Sequence, residues 1–162
     1  IAWSNPVSAT IHHPEFVLAS ASPRRVALLR QIGTTFLQRA VNIDEHPQRL
    51  EKPEDYVVRL AVEKACAAVM VVDTLPALGA DTTVVLDNTV IGKPVDEADA
   101  VAILQALSGR SHQVLTAVAF TDSARCETRL SSTEVLFESL SEEQCRRYWQ
   151  GRLTTHCRQW LR

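Results

Sequence analysis

The stretch Ser20-Ala21-Ser22-Pro23-Arg24-Arg25 sets two guanidiniums directly after a Ser-Pro pair. Ahead of it lies apolar Phe-Val-Leu-Ala, residues 16–19; behind it Val26, Leu28, Leu29 and Ile32 carry a helical pattern. The stretch therefore reads as a strand running into a helix. Ser22 suits the N-cap and Pro23 the first helical position, which puts Arg24 and Arg25 at the second and third. The helix dipole opposes cations there by a few tenths to about 1 kcal/mol each. A bound anion reverses that sign, because free backbone N–H groups and two guanidiniums together form a phosphate cradle. The competing reading turns both arginines to solvent or onto surface carboxylates. No G-x-x-x-x-G-K-[ST] loop is present.

Four further stretches could join such a site. Asp81 interrupts the apolar run 78–86, where a carboxylate is costly to bury unless it is paired or binds a metal. It reads either as a metal ligand or general base, or as a strand-end Asp bonded to nearby backbone. Asp44 and Glu45 close a short strand and enter a loop, where adjacent acids serve as metal ligands or as solvated surface. Lys64 falls on the apolar stripe of a helix, so it either snorkels outward or reaches a phosphate. Lys93 lies between Gly92 and Pro94, on extended backbone, and gains meaning only beside the others. His112 reads as structural.

The elements that must position these residues follow from pattern. Weak strands are expected at 36–37 and 40–43, and a polar loop at 44–53. A long helix should start near Pro53, with Glu54 and Asp55 in its first turn and a stripe of Val57, Leu60, Ala61, Ala65 and Ala68. A strand over 78–86 should turn at Asp87-Asn88 and return through Val90-Ile91. Asp96 can cap a helix ending near Leu107, ahead of Ser108-Gly109. Residues 112–120 form another strand. Residues 133–137 alternate with Val135 and Phe137 inward, and Ser141 caps a last helix. Alternating strands and helices with a hairpin predict a mixed-sheet α/β domain.

At 162 residues the chain fits one domain, and 46% apolar with 22% charged residues fits a globular one. A net charge of −2 argues against broad binding to nucleic acid or anionic membrane, so any anion site must be local. Cys66, Cys126, Cys145 and Cys157 show no zinc or disulfide spacing and fit a reducing cytoplasm. Residues 1–15 lack the pattern of a secretory signal and read as a loose N-terminal extension.

Taken together, LASASPRRVALLRQIG, YVVRLAVEKACAA, LGADTTVVLDNTVIGKPVDEADAVAILQALSGRSHQVLTAVAF and LFESLSEEQCRRYW resemble the Maf family of nucleoside triphosphate pyrophosphatases, in order and at the family's spacing. The resemblance covers residues 16–150. Residues 151–162 read as a tail of different character, so the sheet is expected to lack its last elements.

The resemblance implies an elongated mixed sheet flanked by helices, with a nucleotide cleft, in a family that is often homodimeric. It implies hydrolysis of a nucleoside triphosphate to monophosphate and pyrophosphate with a divalent metal, Mg²⁺ or Mn²⁺. The family is viewed as cleaning the nucleotide pool and was first linked to septum formation. The GADT motif, with Thr82 after Asp81, resembles the branch acting on dTTP and UTP rather than the 7-methyl-GTP branch. By the same resemblance Asp81 is the proton acceptor, and Arg24 and Thr82 bear on substrate choice. Ser22, Arg25, Glu45, Lys64 and Lys93 surround the phosphates and metal, with Glu45 and Asp81 as the metal ligands. Two alternatives stay open: a relative that binds nucleotide or pyrophosphate without turnover, and a non-enzymatic protein acting on cell division.

Overall fold

The computed structural model describes residues 13–72, 74–122 and 124–154. Most of the expected N-terminal extension, and the tail beyond 154 with Cys157, lie outside the described residues. The element order is β1 (Phe16–Ala19), α1 (Pro23–Gln31), β2 (Phe36–Gln38), α2 (Pro53–Val69), β3 (Ala77–Leu86), β4 (Thr89–Ile91), α3 (Glu97–Leu107), β5 (Ser111–Thr121), β6 (Cys126–Leu136) and α4 (Glu142–Thr154). The strands form one mixed sheet in the order β2-β1-β3-β5-β6, with β4 paired to β3.

Strand alternation divides β1 between two helices. Phe16 and Leu18 pack against Val26 of α1, whereas Val17 and Ala19 pack with Ala68 and Val69 of α2. The two helices therefore cover opposite faces. All five residues of the expected α2 stripe are at most 1% exposed. Because most are alanines, α2 comes very close to the sheet. Gly79 of β3 lies directly under it: a Cβ there would stand 2.1 Å from the Ala61 carbonyl oxygen and 2.6 Å from the Ala65 nitrogen.

The ladder on β3 matters most for function. One edge of β3 pairs with β5 over residues 77–85. The other edge pairs with β1 at residues 77–79 and with β4 at residues 84–86. Among the described residues, 80–83 have no strand partner on that edge. The gap opens beyond the carboxyl end of β1, where the chain leaves to β2 on one side while β3 pairs on the other. That is where ligands bind in open α/β sheets.

Local signals in the later part of the chain behave as their chemistry dictates. Asp87 and Asn88 take φ values of 49° and 61°, as a two-residue hairpin turn requires. The Asp99 N–H donates to the Asp96 carboxylate at 2.8 Å. Ser141 and Gln144 cap α4 reciprocally, through bonds of 3.2 and 2.8 Å.

Three expectations need correction. Residues 40–43 form no strand, and Val41 instead packs singly against the core of Val17, Ala19 and Ala77. β6 begins at Cys126, seven residues before the alternation at Thr133. Ser22 holds the N-cap position of α1, but its hydroxyl makes no cap bond.

Candidate functional site

The gap beside β3 gathers side chains from five parts of the chain. Asp81 points toward α2, where the Lys64 ammonium donates to its Oδ1 at 2.7 Å. The same ammonium lies 2.8 Å from Glu45 Oε1, and Lys93 donates to Glu45 Oε2 at 2.7 Å. The result is a chain of alternating charge: Asp81, Lys64, Glu45, Lys93. Its inner members are enclosed, with side chains 14% exposed for Asp81 and 11% for Lys64, while Lys93 is 54% exposed. Lys64 thus does not snorkel outward, and Asp81 sits within a long strand and bonds a side chain rather than strand-end backbone.

Arg25 enters from the first turn of α1. Its Nη1 donates to Ser20 Oγ at 3.2 Å, and its Nη2 makes a long 3.5 Å contact with Thr82 Oγ1. Burial lowers the Arg25 guanidinium from its ordinary pKa, opposed by the charges of Asp81 and Glu45. The Ser22 N–H donates to Ser20 Oγ at 3.1 Å, so Ser20 ties the start of α1 to its arginine. Thr82 faces the opposite side of the sheet from Asp81, and its hydroxyl shares a 3.1 Å hydrogen bond with Thr116 of β5. Arg24 is exposed on the same turn as Arg25.

The structure therefore brings Arg25, Glu45, Lys64, Asp81, Thr82 and Lys93 around the one gap beside β3, with Arg25 and Thr82 meeting on the opposite side of the sheet from Asp81 and Lys64. Ser22 contributes through its backbone N–H. Sequence reading missed Ser20 and Thr116. A serine two residues before Ser22 was a weak available signal; Thr116, across a strand pair from Thr82, had none. His112 is structural: it is 5% exposed and stacks edge-on against Phe137, with ring centroids 4.7 Å apart.

Glu45 carries a large electrostatic consequence. Partial desolvation pushes its carboxyl up, but hydrogen bonds from Lys64 and Lys93 outweigh that and hold it at about 2, against 4.5 for a free glutamate. The folded value lies below the unfolded one. Its contribution to stability is therefore complete above pH 4.5 and is lost as pH falls toward 2. In urea titrations across that window, wild type should lose stability faster than Glu45→Gln. Parallel curves for the two proteins would remove the carboxylate from the network.

Two carboxylates converging on one cation could also hold a metal. Among the described residues no group of three or more His, Cys, Asp or Glu is placed to do so. Glu45 and Asp81 both come within hydrogen-bond distance of a single point, Lys64 Nζ, and both offer hard oxygens. That donor set fits Mg²⁺, which takes one or two carboxylates and completes its shell with water and substrate phosphates.

Fold and crevice define a class: a mixed-sheet α/β domain with a charged cleft at the carboxyl end of its parallel strands. Within that class the chain belongs to the family described as Maf-like protein, whose model matches residues 15–157. Among its relatives is a dTTP/UTP pyrophosphatase of Pseudoalteromonas translucida, 49% identical over 135 residues, covering 83% of this chain and 71% of that protein. A dTTP/UTP pyrophosphatase of Photobacterium profundum is 45% identical over 144 residues, covering 85% and 74%. Among solved structures, a HAM1 protein from Coxiella burnetii shares the fold with a TM-score of 0.58 at 22% identity, covering 76% of this chain and 73% of that one. No helix among the described residues is long and apolar enough to cross a membrane.

Proposed function

We propose that this chain hydrolyses nucleoside triphosphates, dTTP and UTP foremost, to the monophosphate and pyrophosphate. The observation that carries the reading is the Asp81–Lys64–Glu45–Lys93 chain in the β3 gap, beside Arg25 and Thr82. Relatives named dTTP/UTP pyrophosphatase at 45% and 49% identity support the choice of nucleotide. Such a role in the nucleotide pool belongs in the cytoplasm.

Phosphoryl transfer needs charge neutralisation and positioning more than covalent chemistry. Arg24, Arg25, Lys64 and Lys93 hold the triphosphate. Asp81 accepts a proton from the attacking water, whose oxygen bonds to phosphorus as the anhydride between the α- and β-phosphates breaks and pyrophosphate leaves. Glu45 and Asp81 would hold Mg²⁺ or Mn²⁺. When bound, that ion would neutralise phosphate charge and polarise the anhydride. Ser22 offers its place at the head of α1, where N–H groups and dipole favour an anion. Thr82 and Arg24 act on the choice of nucleotide.

Pyrophosphate release from a panel of nucleoside triphosphates tests the reading. Preference for dTTP and UTP is expected; binding without release across the panel would overturn it. Arg24→Ala should raise KM about 10-fold to 150-fold, the range for losing one charge-assisted hydrogen bond of roughly 1.5–3 kcal/mol. Its unfolding midpoint should stay unchanged or rise slightly, because a cation leaves a helix N-terminus. A clearly lowered midpoint would make Arg24 a structural residue.

A further inference from the structure

We propose that Tyr56 and Arg59 of α2 are positioning residues that hold the loop carrying Glu45 against the crevice. Residues 39–52 form neither helix nor strand, and past the Arg39 N–H, which donates to the Leu18 carbonyl at 2.9 Å, no strand pairing fixes this loop. Its backbone includes Leu50 at φ 61°, in the left-handed region and 92% exposed. Yet Glu45 must keep both of its oxygens on lysines from two different parts of the chain, α2 and the loop after β4.

The loop is tied down by side chains instead. The Tyr56 hydroxyl donates to the Glu45 carbonyl at 2.9 Å. One helical turn on, Arg59 Nη2 donates to the next carbonyl, His46, at 3.1 Å. The same guanidinium grips the Glu51 carboxylate at two points, 2.6 Å through Nε and 2.8 Å through Nη2. Glu51 in turn accepts the Gln48 N–H at 2.9 Å. Arg59 is itself braced by Glu63, one turn on at 3.2 Å, and lies 5.6 Å from the Tyr56 ring centroid. Its side chain is 18% exposed and that of Glu51 8%.

The loop is thus fastened at residues 45, 46 and 51 to one face of α2, with residue 48 held through Glu51. Lys64, further along that helix, meets the Glu45 carboxylate. A two-point grip needs the planar fork of arginine, which a lysine cannot reproduce. Neither Tyr56 nor Arg59 touches a reacting group in this scheme. They act through Glu45, whose misplacement by about 1 Å is enough to cost roughly 10²-fold in rate.

The effect on turnover rests on the pyrophosphatase reading; the loop geometry does not. Amide hydrogen exchange on the unliganded chain tests the geometry with Tyr56→Phe and Arg59→Lys. Tyr56→Phe deletes one hydroxyl and keeps the ring, so it should fold. Arg59→Lys should speed exchange at Gln48 and Glu51 by at least about 10-fold, with β3 amides unchanged, as expected of local opening. Tyr56→Phe should do so at His46 and Gln48.

In turnover, kcat/KM should fall about 10-fold to 100-fold for Arg59→Lys and by less for Tyr56→Phe. Both losses should shrink to about 2-fold or less in a Glu45→Gln background, because the residues act through that carboxylate. Unchanged loop exchange in both variants would overturn the proposal, whatever the chain hydrolyses. Fully additive losses in the Glu45→Gln background would overturn it too, since a merely structural brace would give that result.

Discussion

Asp81→Asn should lower kcat for dTTP by about 10²-fold to 10⁴-fold, the contribution expected of a positioned general base. The exchange preserves shape and removes the acceptor. Lys64 keeps Glu45 as a partner, so the variant retains one half of the pairing seen at 2.7 and 2.8 Å. Nucleotide binding measured without divalent metal should survive, because Arg24, Arg25, Lys64 and Lys93 are untouched. Pyrophosphate release under single-turnover conditions, compared with calorimetric binding of dTTP, separates the two effects. Equal turnover in wild type and variant would take Asp81 out of the chemistry and leave it as a partner for Lys64.

The second large effect is structural. Gly79→Ala should destabilise the chain by about 3 kcal/mol, the upper part of the usual range for overpacking. A Cβ at Gly79 would stand 2.1 Å from one backbone atom of α2 and 2.6 Å from another. Backbone cannot rotate away as a flexible side chain can, so the helix must lift. For a domain of this size that corresponds to a Tm roughly 6–12 °C lower. Lifting α2 also draws Lys64 from Asp81, two residues along β3 from Gly79, so activity should fall beyond the loss of folded protein. Gly92→Ala is the control. A Cβ there meets nothing within 4 Å, so its stability should change by no more than about 1 kcal/mol. Similar midpoints for the two variants would refute the close approach.

Sequence pattern made some parts of this molecule readable and hid others for definite reasons. The α2 stripe was legible because burial follows helical period, and all five named positions are buried. Asp87-Asn88, Asp96 and Ser141 were legible because caps and turns are local chemistry. The first half of β6 was not. Its residues 126–132 are mostly polar and exposed, and its ladder to β5 leaves no hydrophobic trace in the sequence. Residues 40–43 misled in the opposite way: Val41 is apolar because it fills a core, without any strand.

The crevice divides similarly. Arg25 at the third position of α1 could be placed from Ser22 and Pro23 alone. What Lys64 and Asp81 do to each other could not, since they lie 17 residues apart on a helix and a strand. Nor does any residue type announce that β3 is unpaired between β1 and β4. That gap is a property of three strands together.

The alternating chain of Asp81, Lys64, Glu45 and Lys93 has a consequence for the affinity of any polyanion that enters. Each ammonium of this chain already has a carboxylate within 2.8 Å. An arriving phosphate therefore competes with a resident anion tethered at high effective concentration, and gains only the difference between the two attachments. Displaced carboxylates would in turn seek a new cation, which a divalent ion accompanying the phosphates can supply. The unliganded protein thus acts as its own competitive ligand, favouring a phosphate chain and its metal arriving together over either one alone.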